Sequence, residues 1–138
     1  MISKEFYLKN IFKKIDHVIG GSVSIKKQIP SFRMNSDLDI MIGGSDLNKI
    51  SKLINLKKSN YGNGIFSFIF EDDSKIDFIV NNNIESLGLL EINDIKYLSV
   101  KEIVKFKFDL IEKCIRNKSF NEHNKHLKDL IFINKNYV

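Results

Sequence analysis

The 138-residue chain has one cysteine, one proline and no long apolar run, and each shortage removes a class of explanation. A lone thiol, Cys114, excludes an internal disulfide, and its place in an apolar helical pattern reads as a buried structural side chain rather than a nucleophile. The one proline, Pro30, leaves a single proline stop for a helix. No stretch approaches the roughly 20 apolar residues that span a bilayer. The N-terminus, with Lys4, Glu5, Lys9, Lys13 and Lys14 interleaved, lacks a signal-peptide core. These features predict a cytoplasmic protein with no membrane partner. No Ser-His-Asp or Cys-His arrangement for covalent catalysis stands out.

Hydrophobic residues make up 43% of the chain, enough for one domain with a real core. The expected organisation is a single domain over 1–138, with its core at about 16–81 and C-terminal helices at about 100–134. Net charge is +5, with lysine far in excess of arginine. That balance suits a phosphate-bearing partner. An AT-biased coding sequence would also enrich Lys, Ile and Asn, so charge alone does not decide.

Periodicity predicts a packing helix from Ser3 to about Asp16, carrying Phe6, Leu8, Ile11, Phe12 and Ile15. A strand follows over 17–20, a short helix from Ser22 to about Ile29, a strand over 37–42, and a helix capped by Ser45 or Asp46 with face Leu47, Ile50, Leu53 and Ile54. Residues 59–64 form a turn-rich loop. Strands over 65–70 and 75–80 pair as a hairpin through Glu71 to Ser74, a short strand runs through 89–92, and helices cover about 100–117 and 121–133. The fold class is α/β (α+β): a small mixed sheet with helices packed on one face and the acids on the other.

Two signals carry chemistry. Gly20-Gly21-Ser22 ends a short apolar strand and opens a helix, where free N–H groups and the helix dipole favour an anion and glycine allows close approach. In Asp37-Leu38-Asp39-Ile40 the acids sit two apart, so on a strand both carboxylates leave one face while Leu38, Ile40 and Ile42 enter the core. Like charges held together call for a cation, and oxygen ligands on a rigid strand suit Mg²⁺. Asp77 is a third acid among apolar neighbours, expensive to desolvate unless something binds it. If its strand lies beside that of Asp37 and Asp39, the three converge. Lys107, on the apolar side of its helix, either snorkels outward or reaches a buried anion. His123 and His126, three apart, read as surface histidines without a third ligand.

Gly20-Gly21, fifteen residues, then Asp37-Leu38-Asp39, with Asp77 after a basic and an apolar residue, resembles the nucleotidyltransferase superfamily that includes DNA polymerase beta. It is similar more narrowly to the small branch of lincosamide-type antibiotic nucleotidyltransferases and abortive-infection toxin nucleotidyltransferases. There the turn reads Gly-Gly-small-small, as in Gly20-Gly21-Ser22-Val23, and an arginine precedes the acids, as Arg33 does. Lys107 and Lys128-Asp129-Leu130 resemble the branch's helical lysine and Lys-Asp-Leu stretch. Met34-Asn35-Ser36 departs by lacking a histidine, and the second domain is reduced to two helices.

The resemblance implies two Mg²⁺ ions (Mn²⁺ as a substitute) about 4 Å apart, held by Asp37, Asp39 and Asp77. It implies Asp77 as general base, and Gly20, Gly21, Ser22, Arg33 and Lys107 as nucleotide-binding residues. The expected function is transfer of a nucleoside monophosphate from ATP or another nucleoside triphosphate to a hydroxyl on RNA, such as tRNA, or on a small molecule. Two rivals stay open: a non-catalytic nucleotide- or RNA-binding module of the same fold, and the toxin half of a toxin–antitoxin pair whose acceptor surface comes from a partner.

Overall fold

Alternation builds the sheet. Leu38, Ile40 and Ile42 point one way from their strand while Asp39 and Met41 point the other, and Ile76 and Phe78 against Asp77 and Ile79 repeat the pattern. The computed structural model describes residues 15–33, 37–52, 55–58, 64–70 and 73–136. Its strands are β1 (His17–Gly20), β2 (Leu38–Ile42), β3 (Lys57–Lys58), β4 (Ile65–Ile69), β5 (Lys75–Val80), β6 (Leu89–Ile92) and β7 (Ile95–Leu98). The helices are α1 (Gly21–Gln28), α2 (Gly44–Ser51), α3 (Val100–Arg116) and α4 (Phe120–Asn136). The strands form one seven-stranded mixed sheet in the order β3-β4-β5-β2-β1-β7-β6, parallel at β2/β5 and β1/β7 and antiparallel elsewhere.

Two apolar clusters grip this sheet. One gathers Ile19, Leu38, Ile40, Ile42, Phe78 and Tyr97 under Leu47 and Ile50 of α2. The other joins Val18, Met41 and Leu98 to Ile25 of α1, Val100 and Ile103 of α3 and Ile133 of α4. Each fully buried side chain of this size contributes about 1.5–3 kcal/mol by leaving water, before ordering costs. The mixed sheet with helices stands as the sequence predicts. In detail, helices contact both faces, and Asp39 and Asp77 share theirs with Met41 and Ile79, the face of α1, α3 and α4. The acids therefore do not lie opposite the helices; the C-terminal helix pair roofs their side of the sheet.

Local chemistry sets the element ends. α1 stops where Ile29 donates to the Ile25 carbonyl at 2.7 Å, one residue before Pro30. Ser99 caps α3, its hydroxyl accepting from the Glu102 N–H at 3.2 Å, the reciprocal spacing of a capping box. Gln28 stitches α1 to the β7–α3 junction: its amide donates to the Leu98 carbonyl at 2.9 Å and accepts from the Val100 N–H at 3.0 Å. Strand β7 is absent from the sequence reading. Its signal is Asn93-Asp94, both with positive φ (51° and 66°), a two-residue hairpin turn between short apolar runs. The predicted helix over 3–16 up to residue 14, the face residues Leu53 and Ile54, most of the 59–64 loop, Met34-Asn35-Ser36 and part of the 71–74 turn lie outside the described residues.

Candidate active site

Strand register brings the predicted residues together. Gly20 at the end of β1 pairs with Asp39 on β2, and Asp39 pairs with Asp77 on β5, so the three lie side by side across adjacent strands. Asp37, one residue before β2, turns its carboxylate to accept the Lys75 backbone N–H at 3.1 Å, at the same end of β5. Ser67 on β4 is the next residue in the row, opposite Asp77. Its hydroxyl donates to Asp77 Oδ1 at 2.5 Å, while the Lys75 ammonium stands 3.5 Å from Asp77 Oδ2.

Gly21 shows why the turn requires glycine. Its φ is +59°, and a Cβ there would run into the Asp39 carboxylate. The start of α1 thus closes over the acids with nothing between, and Ser22 in its first turn is buried. Asp39 registers the crowding. Burial, then the neighbouring charge of Asp77 and, more weakly, Asp37, push its carboxyl up to about 6, against the opposing charges of Lys107 and Lys125.

Arg33 and Lys107 meet on one carboxylate. Asp129 of α4 accepts a fork from Arg33, Nε at 3.3 Å and Nη2 at 3.1 Å, and a hydrogen bond from Lys107 at 3.0 Å. The side chains of Lys107 and Asp129 are only 8% and 5% exposed, so of its two options Lys107 takes the buried anion. Burial pushes the Asp129 carboxyl up, but the hydrogen bonds and charges of Arg33 and Lys107 outweigh it and hold it below the usual carboxylate range. His126 lies 3.2 Å from Lys107 and is half-buried rather than superficial. Burial and then the Lys107 charge push its imidazole down, favouring the neutral form that accepts from the ammonium. Sequence reasoning missed the part played by Ser67, Lys75, Lys125 and Asp129. Lys107 on an apolar helix face, with the Lys128-Asp129-Leu130 resemblance beside it, was the available hint that a buried acid stood opposite.

The carboxylates of Asp37, Asp39 and Asp77 lie at one end of two neighbouring strands, oxygen donors of the kind that suits Mg²⁺, and a cation would relieve the crowding at Asp39. Among the described residues no three acid, histidine or cysteine side chains are gathered on a single point. Asp37 accepts a backbone N–H, and Asp77 faces Ser67 and Lys75. Asp37, Asp39 and Asp77 are the oxygen ligands that this end of the sheet offers an ion.

No family model and no curated protein matches the sequence. Solved structures do. TM1012 from Thermotoga maritima, classed as a nucleotidyltransferase, is similar over 92% of this chain and 96% of its own, with TM-score 0.53 and 15% identity. The antibiotic-resistance factor ANT(2'')-Ia in solution is similar over 87% of this chain and 77% of its own, with TM-score 0.52 and 15% identity. The chain has the nucleotidyltransferase fold. At 15% identity the likeness is one of architecture, and the chemistry must be argued from the residues of this nucleotidyltransferase-like chain. Among the described residues no helix is long and apolar enough to cross a membrane.

Proposed function

We propose that the protein transfers a nucleoside monophosphate from a nucleoside triphosphate to a hydroxyl on RNA. The observation that carries this reading is the register row Gly20, Asp39 and Asp77, with Asp37 at the same end of the sheet. It places the start of a helix against a set of acids, the two parts a phosphoryl-transfer site needs.

The free N–H groups in the first turn of α1 receive phosphate oxygens of the donor, which Gly21 lets come close. Lys125, whose charge reaches Asp39, adds positive potential over the phosphates, and Lys107 does so from its fixed place on Asp129. The acceptor oxygen attacks the α-phosphorus. The bond from that phosphorus to the bridging oxygen breaks, and its electron pair leaves with pyrophosphate. Asp77 takes the proton of the acceptor hydroxyl. Divalent cations held by Asp37, Asp39 and Asp77 would supply charge neutralisation for the phosphates. No covalent intermediate on the protein is required.

The test is incubation with each α-³²P-labelled triphosphate, Mg²⁺ and total RNA, beside an Asp37→Ala/Asp39→Ala control. Label on a discrete RNA, lost in the control, is expected. Absence of label with every triphosphate overturns RNA as acceptor. The likeness to an antibiotic-resistance factor supports a small hydroxylated acceptor as the second reading, and adding an aminoglycoside to the same reaction separates the two.

A further inference from the structure

Helix α3 buries one side and carries an apolar row on the next. Val100, Ile103 and Lys107 face the core. Val104, Phe108, Ile111 and Ile115 recur at alternating spacings of four and three residues, so they form a single row along about 16 Å of the helix, rotated away from the buried side. Val104 and Ile111 are half-buried, whereas Phe108 and Ile115 are 60% and 55% exposed. A lone exposed apolar residue is ordinary, but a row at the spacing of a coiled-coil seam is a surface for another helix. The charges beside the row decide which helix. Flanking it on the solvent side are Lys105 and Glu112, exposed side chains that pair loosely along their own helix, Lys105 with Glu102 at 3.6 Å and Glu112 with Arg116 at 3.8 Å. If two copies of α3 lie antiparallel with Val104 against Ile115 and Phe108 against Ile111, Lys105 of each copy falls beside Glu112 of the other. Helix α4 provides a contrast. Its exposed Phe120, Leu127 and Ile131 follow the same spacing, but Asn124 interrupts the row and the equivalent flanking residues, Asn121 and Lys128, offer each other no opposite charge.

We propose that the protein pairs with a second copy of itself through an antiparallel α3–α3 seam. The two-fold axis passes between Phe108 and Ile111, and every contact occurs twice, as an isologous interface requires. The seam takes the exposed Phe108 and Ile115 side chains out of water and closes two opposite-charge pairs at its edge. The inner side of the same helix carries Lys107 on Asp129, so a second copy braces the helical roof from outside without touching the acid row. The pairing is independent of the chemistry at that row.

Sedimentation velocity of the full chain, from micromolar to submillimolar concentration, reads the association, and circular dichroism checks the fold of each variant. Wild type is expected to dimerise and Phe108→Glu to stay monomeric across the range. Lys105→Glu sets two carboxylates side by side at both edges of the seam, and Glu112→Lys sets two ammonium groups there, so each variant alone is expected to dimerise about 10-fold more weakly or worse. Mixing the two variants restores an opposite pair at both edges, and the mixture is expected to associate at wild-type strength. A parallel seam, or one on another face, gives no such rescue. A wild type that stays monomeric overturns the proposal and leaves the row to a different protein. A dimer undisturbed by Phe108→Glu, or charge variants that mixing does not rescue, overturns it equally. Should Phe108→Glu lose its helical signal, the two charge variants, both at solvent-exposed positions, decide alone.

Discussion

Replacing Asp39 by Asn is expected to stabilise the fold while abolishing transfer, and the gain should depend on pH in a defined way. The Asp39 carboxyl is raised from 3.8 to about 6, first by burial and then by Asp77. A raised acid binds its proton in the folded state at a pH where the unfolded chain has released it. Stability therefore falls as pH climbs from about 4 to about 6, and above that the full penalty persists. A shift of this size corresponds to about 3 kcal/mol. Asn has nearly the same shape and no charge, so at pH 8 Asp39→Asn should be more stable by about 2 to 3 kcal/mol, about 7 to 10 °C in thermal midpoint for a chain of this length. Below pH 4 both side chains are neutral and the difference should vanish. Urea unfolding from pH 3.5 to 8.5 reads this directly. Millimolar Mg²⁺ at pH 8 should stabilise the wild type and narrow the gap, because only the carboxylate gains from the ion. A variant no more stable than wild type at pH 8, or one with the same gain at pH 4, would refute the claim that this carboxyl is held at a cost.

Three further outcomes follow from other parts of the structure. Gly21→Ala forces a positive φ on an alanine and pushes a methyl into the Asp39 carboxylate, so it should cost about 1 to 3 kcal/mol in urea unfolding and weaken nucleotide binding in a filter assay. Asp129→Asn leaves the buried Lys107 ammonium without its counter-charge and frees Arg33, for a loss of about 3 kcal/mol at pH 7. Because the Asp129 carboxyl is held below its ordinary range, its contribution is present above pH 4 and lost as pH falls further, so the gap to wild type should close in acid. Gln28→Ala removes the acceptor of the Val100 N–H at the start of α3 and should cost about 1 to 3 kcal/mol, with amide exchange at Val100 accelerated.

Most elements were legible because each has a local signature. Leu38, Ile40 and Ile42 announce a half-buried strand by alternation, Pro30 marks the end of α1, and Ser99 with Glu102 marks the start of α3. β7 was passed over because four residues are too few for periodicity to speak. Only the paired positive-φ residues Asn93 and Asp94 betray it, and an Asn-Asp turn is a weaker cue than Asn-Gly.

By itself the sequence determined which residues are candidates for the chemistry: Gly20, Gly21, Asp37, Asp39 and Asp77, through spacing that puts both acids of the first pair on one strand face. Whether those acids meet depended on β2 lying parallel to β5 in a register that sets Asp39 beside Asp77, and strand order is a property of the whole sheet. The same holds for Ser67 and for the fate of Arg33 and Lys107. Residues 10, 96 and 22 positions apart in the chain become hydrogen-bond partners only when the sheet and its helical roof have assembled. Local spacing cannot carry that information, because the energy that fixes register is the burial of two apolar clusters drawn from the entire chain.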